Sequence, residues 1–288
     1  MQKLQQSGGR QAPLVVSVAS GKGGVGKTLT TVNLAIAARK MGRSVLIFDA
    51  DLGLANVDIV LGLKARYNIR DVIDGHAALS DIVVEGPLGI HLIPSGSGIS
   101  SLTRLSPAQK QLIFDQIAQV DTTYDILLVD TGAGISDNVI HFSRGADRIV
   151  VVTTPEPHAM TDAYALIKVL AEEHGAKSFH LLVNQTRSPD EGLKVSERIA
   201  EVAMRFLNVH VSHLGNVPHD PQVLKSVLQR RAASEQSTFT LAGQAWAQAA
   251  RKLMGVSVQK SRNADVQDYW RSLLWDGSQA VRTATSGL

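Results

Sequence analysis

Short apolar runs alternate with longer amphipathic segments along most of the chain. "PLVVSVAS" (13–20), "SVLIFDAD" (44–51) and "GIHLIPSG" (89–96) open the series. "YDILLVDTG" (124–132), "DRIVVVTTP" (147–155), "SFHLLVNQ" (178–185) and "VHVSHLGNVP" (209–218) continue it. These runs are rich in Val, Ile and Leu, and mostly continuous rather than alternating. That pattern predicts strands buried on both faces of a parallel sheet. Between them, 28–42, 106–120, 161–175 and 194–207 carry helical periodicity. Strand and helix in alternation predict an α/β fold: a doubly wound, mostly parallel sheet with helices on both faces.

The expected organisation is a flexible N-terminal arm (1–13), one domain (14–255) and a polar tail (256–288). The tail holds one amphipathic helix at about 265–275. With 288 residues, 44% of them hydrophobic, the chain can bury a substantial core. It has no cysteine, which excludes disulfides, thiolate metal sites and thiol nucleophiles and fits a cytoplasmic setting. No early apolar run resembles a signal peptide, and none approaches the ~20 residues that span a bilayer. The net charge of +3 argues neither for nucleic acid nor for anionic lipid.

Chemistry enters with "GKGGVGKT" (21–28). It places four glycines and two lysines within seven residues, between a strand and a helix. Gly21, Gly26, Lys27 and Thr28 meet the spacing G-x-x-x-x-G-K-[ST] in that context, which marks a phosphate-binding loop. Glycines let backbone N–H groups turn inward around phosphate oxygens, here along Gly21, Lys22, Gly23, Gly24, Val25 and Gly26. The helix start adds its dipole, Lys27 neutralises the β/γ-phosphates, and Thr28 offers its hydroxyl to Mg²⁺. Asp130 ends a buried strand, where it would serve the Mg²⁺ shell. Asp49 and Asp51 stand at another strand's carboxyl end, two residues apart and so aimed to one side. A bland alternative is that they cap the next helix. Arg187 stands three residues after Asn184, where a guanine-reading carboxylate would be needed, so ATP is the better nucleotide.

Lys22 is superfluous to an ordinary phosphate loop. The stretch K-G-G-x-G-K-[ST], Lys22 to Thr28, resembles the deviant P-loop ATPases of the MinD/ParA family over about residues 14–254. The resemblance implies a SIMIBI-type P-loop NTPase that forms a homodimer around two ATP molecules and hydrolyses ATP slowly with Mg²⁺. It also implies that Lys22 reaches the nucleotide of the partner subunit. Asp51 would activate the attacking water, Asp49 would join the Mg²⁺ shell, and Asn56 would lie near the partner or the nucleotide. Asn184 would contact adenine, framed by backbone at Pro218.

"DADLGLANVDIVLGL", "NIRDVIDG", "VVEGPLGIHLIPSGSG" and "VVVTTPEPHAMTDAYALIKVL" look most like the FlhG/FleN flagellar-number regulators. That resemblance implies reversible attachment to the inner membrane, at a cell pole in some relatives. The implied partners are a flagellar transcription activator, the FlhF GTPase or C-ring switch proteins. Many FlhG proteins carry an N-terminal D-Q-A-x-x-L-R-type segment that stimulates FlhF, and "MQKLQQSGGRQAP" lacks it. Two other readings remain open: a ParA-like DNA- or cargo-positioning ATPase and a MinD-like division-site regulator.

In the tail, Val266, Tyr269, Trp270, Leu273 and Leu274 fall on one helical face. With two tryptophans and an arginine, the helix suits contact with an anionic membrane, at the place where MinD and FlhG proteins are expected to bind lipid, although Asp268 and Asp276 give weaker attraction than a lysine-rich helix would. A helix folded onto the domain has the same pattern. "VLKSVLQRR" (223–231) is basic, but two arginines on a helix are usually a solvated face, so DNA is not an expected partner. His174, His180, His210, His213 and His219 show no metal-ligand spacing.

Overall fold

The computed structural model describes residues 13–51, 56–96, 105–120, 124–236, 240–255 and 266–275. All seven apolar runs form strands: β1 (Leu14–Ser20), β2 (Val45–Ala50), β4 (His91–Ile93), β5 (Ile126–Ala133), β6 (Arg148–Thr153), β7 (Ser178–Thr186) and β8 (His210–Pro218). An eighth, β3 (Val84–Glu85), is a two-residue edge strand antiparallel to β4. The sheet order is β3-β4-β2-β5-β1-β6-β7-β8, and every pairing except β3–β4 is parallel. The chain thus leaves the centre in one direction, returns, and winds out in the other. This is a doubly wound sheet, whose ligands bind beyond the carboxyl ends of its strands.

The helices are α1 (Lys27–Lys40), α2 (Val57–Leu61), α3 (Ile69–Ile73), α4 (Leu79–Ile82), α5 (Pro107–Val120) and α6 (Asp137–Arg144). They continue with α7 (Pro157–His174), α8 (Pro189–Leu207), α9 (Pro221–Leu228), α10 (Ala233–Gln236), α11 (Leu241–Gly255) and α12 (Val266–Trp275). The side chains of β1 show how the layers form. Val16 and Val18 enter one core with Leu34, Ile36 and Trp246, under α1 and α11. Val15 points the other way, into a core with Phe48, Ile113 and Trp270, and Ala19 joins a third under α7 and α8. Strand periodicity of two, with both faces covered, produces this division. The first turn of α1 has no acidic residue, and the helix is buried nearly all round, as a central helix must be.

The apolar stripe of α12 lies inside the domain. Tyr269, Trp270, Leu273 and Leu274 are buried in the core under α5. Trp270 packs against Phe48 with ring centroids 5.1 Å apart, and Tyr269 Oη donates to the Phe142 carbonyl at 3.0 Å. Gly145, at the end of α6, admits the helix: a Cβ there would lie 2.6 Å from Ser272 Oγ and 2.9 Å from a Tyr269 ring carbon. In this structure protein rather than lipid covers these four side chains, the alternative of a helix folded onto the domain, and lipid contact would require the helix to undock. The Val266 side chain lies outside the described residues, as do the arm 1–12 and the tail segments 256–265 and 276–288. No described helix is long and apolar enough to cross a membrane.

Candidate nucleotide-binding site

β1 delivers the glycine-rich loop to the carboxyl edge of the sheet, and α1 carries it away. Two glycines are required there by their surroundings. A Cβ on Gly21 would lie 2.0 Å from the Asp162 carbonyl oxygen of α7, so the loop lies directly on that helix. Gly26, the residue before α1, has φ +89°, and a Cβ there would lie 2.2 Å from Asn184 Nδ2. A side chain at Gly26 would meet both backbone strain and a clash.

Asn184 accounts for the second constraint. It is buried at the end of β7, and its Nδ2 donates to the Val25 carbonyl at 2.8 Å. The amide hydrogens expected at adenine thus help hold the phosphate loop in this structure. Pro218 ends the neighbouring β8 in register with Thr186. Asn184 and Pro218 therefore share one end of the sheet, two and three strands out from β1.

Asp130 is the hub of the site. It is fully buried, with Lys27 Nζ 3.0 Å from Oδ1. Thr28 Oγ1 donates to Oδ2 at 2.8 Å, and Thr31 Oγ1 donates to Oδ1 at 2.6 Å. Thr31 was not singled out by the motif. A hydroxyl one turn into a helix reads as an ordinary weak helix former, and only the strand register shows what it faces.

Asp49 pairs with Asp130 in the β2–β5 register, which sets two buried carboxylates side by side. Burial, and then the charge on Asp130, push the Asp49 carboxyl up to about 7. Three backbone donors oppose the shift. Asp51 N donates to Oδ1 at 3.1 Å, Asn56 N to Oδ2 at 3.1 Å and Val57 N to Oδ2 at 3.3 Å. Asp49 therefore holds the backbone of Asp51 and Asn56 to the sheet and caps the entry to α2, as the bland alternative allowed. Asp51 lies over β5: a Cβ on Gly132 would be 3.8 Å from its Oδ1. Ser95 Oγ donates to the Asp51 carbonyl at 3.0 Å.

Lys22 lies at the rim, half exposed, with Nζ 3.2 Å from Glu156 Oε2 at the start of α7. The loop therefore presents one buried lysine inward and one exposed lysine outward. A phosphate loop, a buried lysine, a threonine hydroxyl and paired carboxylates at the carboxyl edge together form a nucleotide site.

The family profile described as ParA, NUBPL iron-transfer P-loop NTPase, matches residues 11–254. The chain belongs to the ParA family of P-loop NTPases. Two relatives are similar to it over three quarters or more of its length. The antiactivator FleN of Pseudomonas aeruginosa is 41% identical over 250 residues, 87% of this chain and 89% of its own length. The flagellum site-determining protein YlxH of Helicobacter pylori is 37% identical over 217 residues, 75% of this chain and 73% of its own. Among solved structures, the septum site-determining protein MinD of Pyrococcus horikoshii, in complex with Mg-ADP, aligns with a TM-score of 0.67. It is 26% identical and covers 84% of this chain and 96% of that one. The doubly wound, mostly parallel sheet is the one read from the apolar runs, with the edge strand β3 added to it.

Proposed function

We propose that this protein is an ATP-dependent switch that hydrolyses ATP to ADP and phosphate and regulates flagellar number or placement. The observation that carries the chemistry is the Lys27–Thr28–Asp130 cluster beneath a loop in which Gly24 and Gly26 are left-handed. The flagellar role follows from likeness to FleN and YlxH, and the name antiactivator points to a transcription activator as the regulated partner.

The site fits Mg²⁺. Two buried carboxylates, one holding its proton up to about 7 beside the other, are an all-oxygen donor set short of positive charge. Thr28, Asp130 and Asp49 would hold the ion directly or through its water, and when bound it neutralises charge on the phosphates. The protein's own groups do the rest. Backbone N–H groups of Gly21, Lys22, Gly23, Gly24, Val25 and Gly26 cradle the phosphates, and Lys27 moves from Asp130 onto them. Asp51 orients the attacking water, Asn184 Oδ1 and the backbone at Pro218 frame the base, and Lys22 enters the site of the partner subunit. There it acts as a cation supplied in trans to the charge that develops on γ-phosphate.

Attachment to an anionic membrane requires α12 to leave the domain. Its four buried apolar side chains contribute on the order of 8 kcal/mol of burial, so the helix stays docked until a second surface or a changed partner face competes for it. An ATP dimer with two such helices would supply that competition through avidity.

The test uses Asp51→Ala, which should accumulate the ATP dimer. Sedimentation with anionic liposomes in Mg·ATP but not Mg·ADP supports the membrane-cycling switch. ATP-dependent binding to nonspecific duplex DNA instead would move the protein to the partitioning class. Flagellar counts in cells carrying Lys27→Ala test the biological role: unchanged numbers would remove it.

A further inference from the structure

Asp130 receives three donors at once, but two of them have other work. Lys27 Nζ and Thr28 Oγ1 belong to the phosphate loop, and a bound nucleotide draws both away from the carboxylate. The third donor is Thr31 Oγ1, 2.6 Å from Oδ1. Thr31 is fully buried one turn along α1, and its branched Cβ restricts χ1. It cannot follow the other two to the ligand. Its hydroxyl has a second acceptor, the Lys27 carbonyl at 3.2 Å, and only one proton to give. The bond to the Asp130 carboxyl is the shorter of the two and wins that competition.

We propose that Thr31 is the positioning residue for Asp130 in the nucleotide-bound state. It remains on Oδ1 after Lys27 and Thr28 have turned to the nucleotide, and so leaves Oδ2 free to serve the Mg²⁺ shell. The need is electrostatic as well as geometric. Asp49 stands beside Asp130 on the next strand, so once Lys27 departs two buried carboxylates face each other. A carboxylate without a fixed donor would rotate away from its neighbour and out of reach of the ion. The threonine methyl packs as valine would, and the hydroxyl alone carries the function. This inference rests on the reading of the loop as a Mg·ATP site.

The experiment is a Mg²⁺ titration of binding of a fluorescent ATP analogue to the full chain, with a parallel measurement in EDTA. Wild type, Thr31→Val, Thr31→Ala and Thr31→Ser are compared. Thr31→Val and Thr31→Ala should need about ten-fold more Mg²⁺ for half-maximal binding, with binding in EDTA unchanged. Thr31→Ser should restore the wild-type midpoint, because it keeps the hydroxyl and loses only the methyl. An unshifted midpoint in Thr31→Val overturns the proposal. Equal losses with and without Mg²⁺ also overturn it, since a merely structural role would weaken both. Wild type that binds no nucleotide in either buffer overturns the nucleotide reading itself, and this proposal with it.

Discussion

The carboxyl edge of the sheet and the face beneath α12 are held together by different forces. At the edge, Lys27, Thr28, Thr31, Asp49 and Asp130 are buried or half-buried polar groups, each satisfied by a specific neighbour at a specific angle. Under α12, Trp270, Leu273 and Leu274 meet Phe48, Phe142 and Ile113 through contacts with little directional demand. A charged cluster loses its reason to exist without its ligand, whereas an apolar stripe accepts any apolar cover. The edge therefore specifies a chemistry. The stripe specifies only that something must shield it.

The largest expected effect tests how firmly the stripe is covered. Trp270→Ala should destabilise the domain by about 3–5 kcal/mol in urea unfolding, the usual cost of emptying a large buried ring site. The loss is capped by the free energy of docking, because a helix that detaches on its own carries its cavity away. A loss below about 1 kcal/mol would show that α12 is only loosely held and would bring the two regions closer in kind. Next comes the edge. Lys27→Ala should weaken ATP binding by at least about 100-fold while leaving α12 docked, because the charge on the phosphates loses its buried counterpart. Wild-type affinity in a folded Lys27→Ala protein would break the phosphate-loop reading.

The two regions also differed in how far the sequence disclosed them. The loop was legible because spacing, glycines and flanking elements all pointed to one ligand. Asp130 was legible because a carboxylate ends an apolar strand. Thr31 and the brace from Asn184 to Val25 were not, since both depend on which strands lie side by side, and no local pattern reports strand order. The stripe of α12 was legible as a face, and its cover was not. Periodicity of 3.6 reports that one side is apolar and is silent on whether lipid or protein lies against it. Among strands, β3 escaped because two residues at an antiparallel edge carry no run.

Acid should separate the regions a third way. His141 is buried on α6 and hydrogen-bonded to the Leu273 backbone of α12. Burial lowers it to about 4 from the ordinary 6.5, and Arg144, Lys110 and His174 around it push in the same direction. The unfolded chain therefore takes the proton first. Stability is intact above pH 6.5 and falls as the pH drops from 6.5 toward 4, by at most about 3 kcal/mol from this group. His180, also lowered to about 4 by burial, acts with the same sign on β7. Urea unfolding at pH 7.5 and pH 5 should show the loss, and His141→Gln should reduce it. Equal pH dependence in that variant would detach His141 from the hold on α12.

The smallest effect is at the rim, where Lys22 and Glu156 form an exposed pair 3.2 Å apart. Pairs of this kind contribute about 0–1 kcal/mol, so Glu156→Gln should leave the melting curve nearly unchanged. The weakness is functional if Lys22 must leave its own chain to reach the nucleotide of a partner subunit. Releasing it should favour the ATP dimer by no more than about two- to five-fold, measured by sedimentation velocity in Mg·ATP. Lys22→Ala should retain ATP binding and lose dimerisation or hydrolysis, which separates it from Lys27→Ala, where binding itself fails. A Lys22→Ala protein that dimerises and turns over like wild type would leave the pair with Glu156 as the lysine's whole role. It would also return the outward-facing half of the loop to the same physics as any other surface charge.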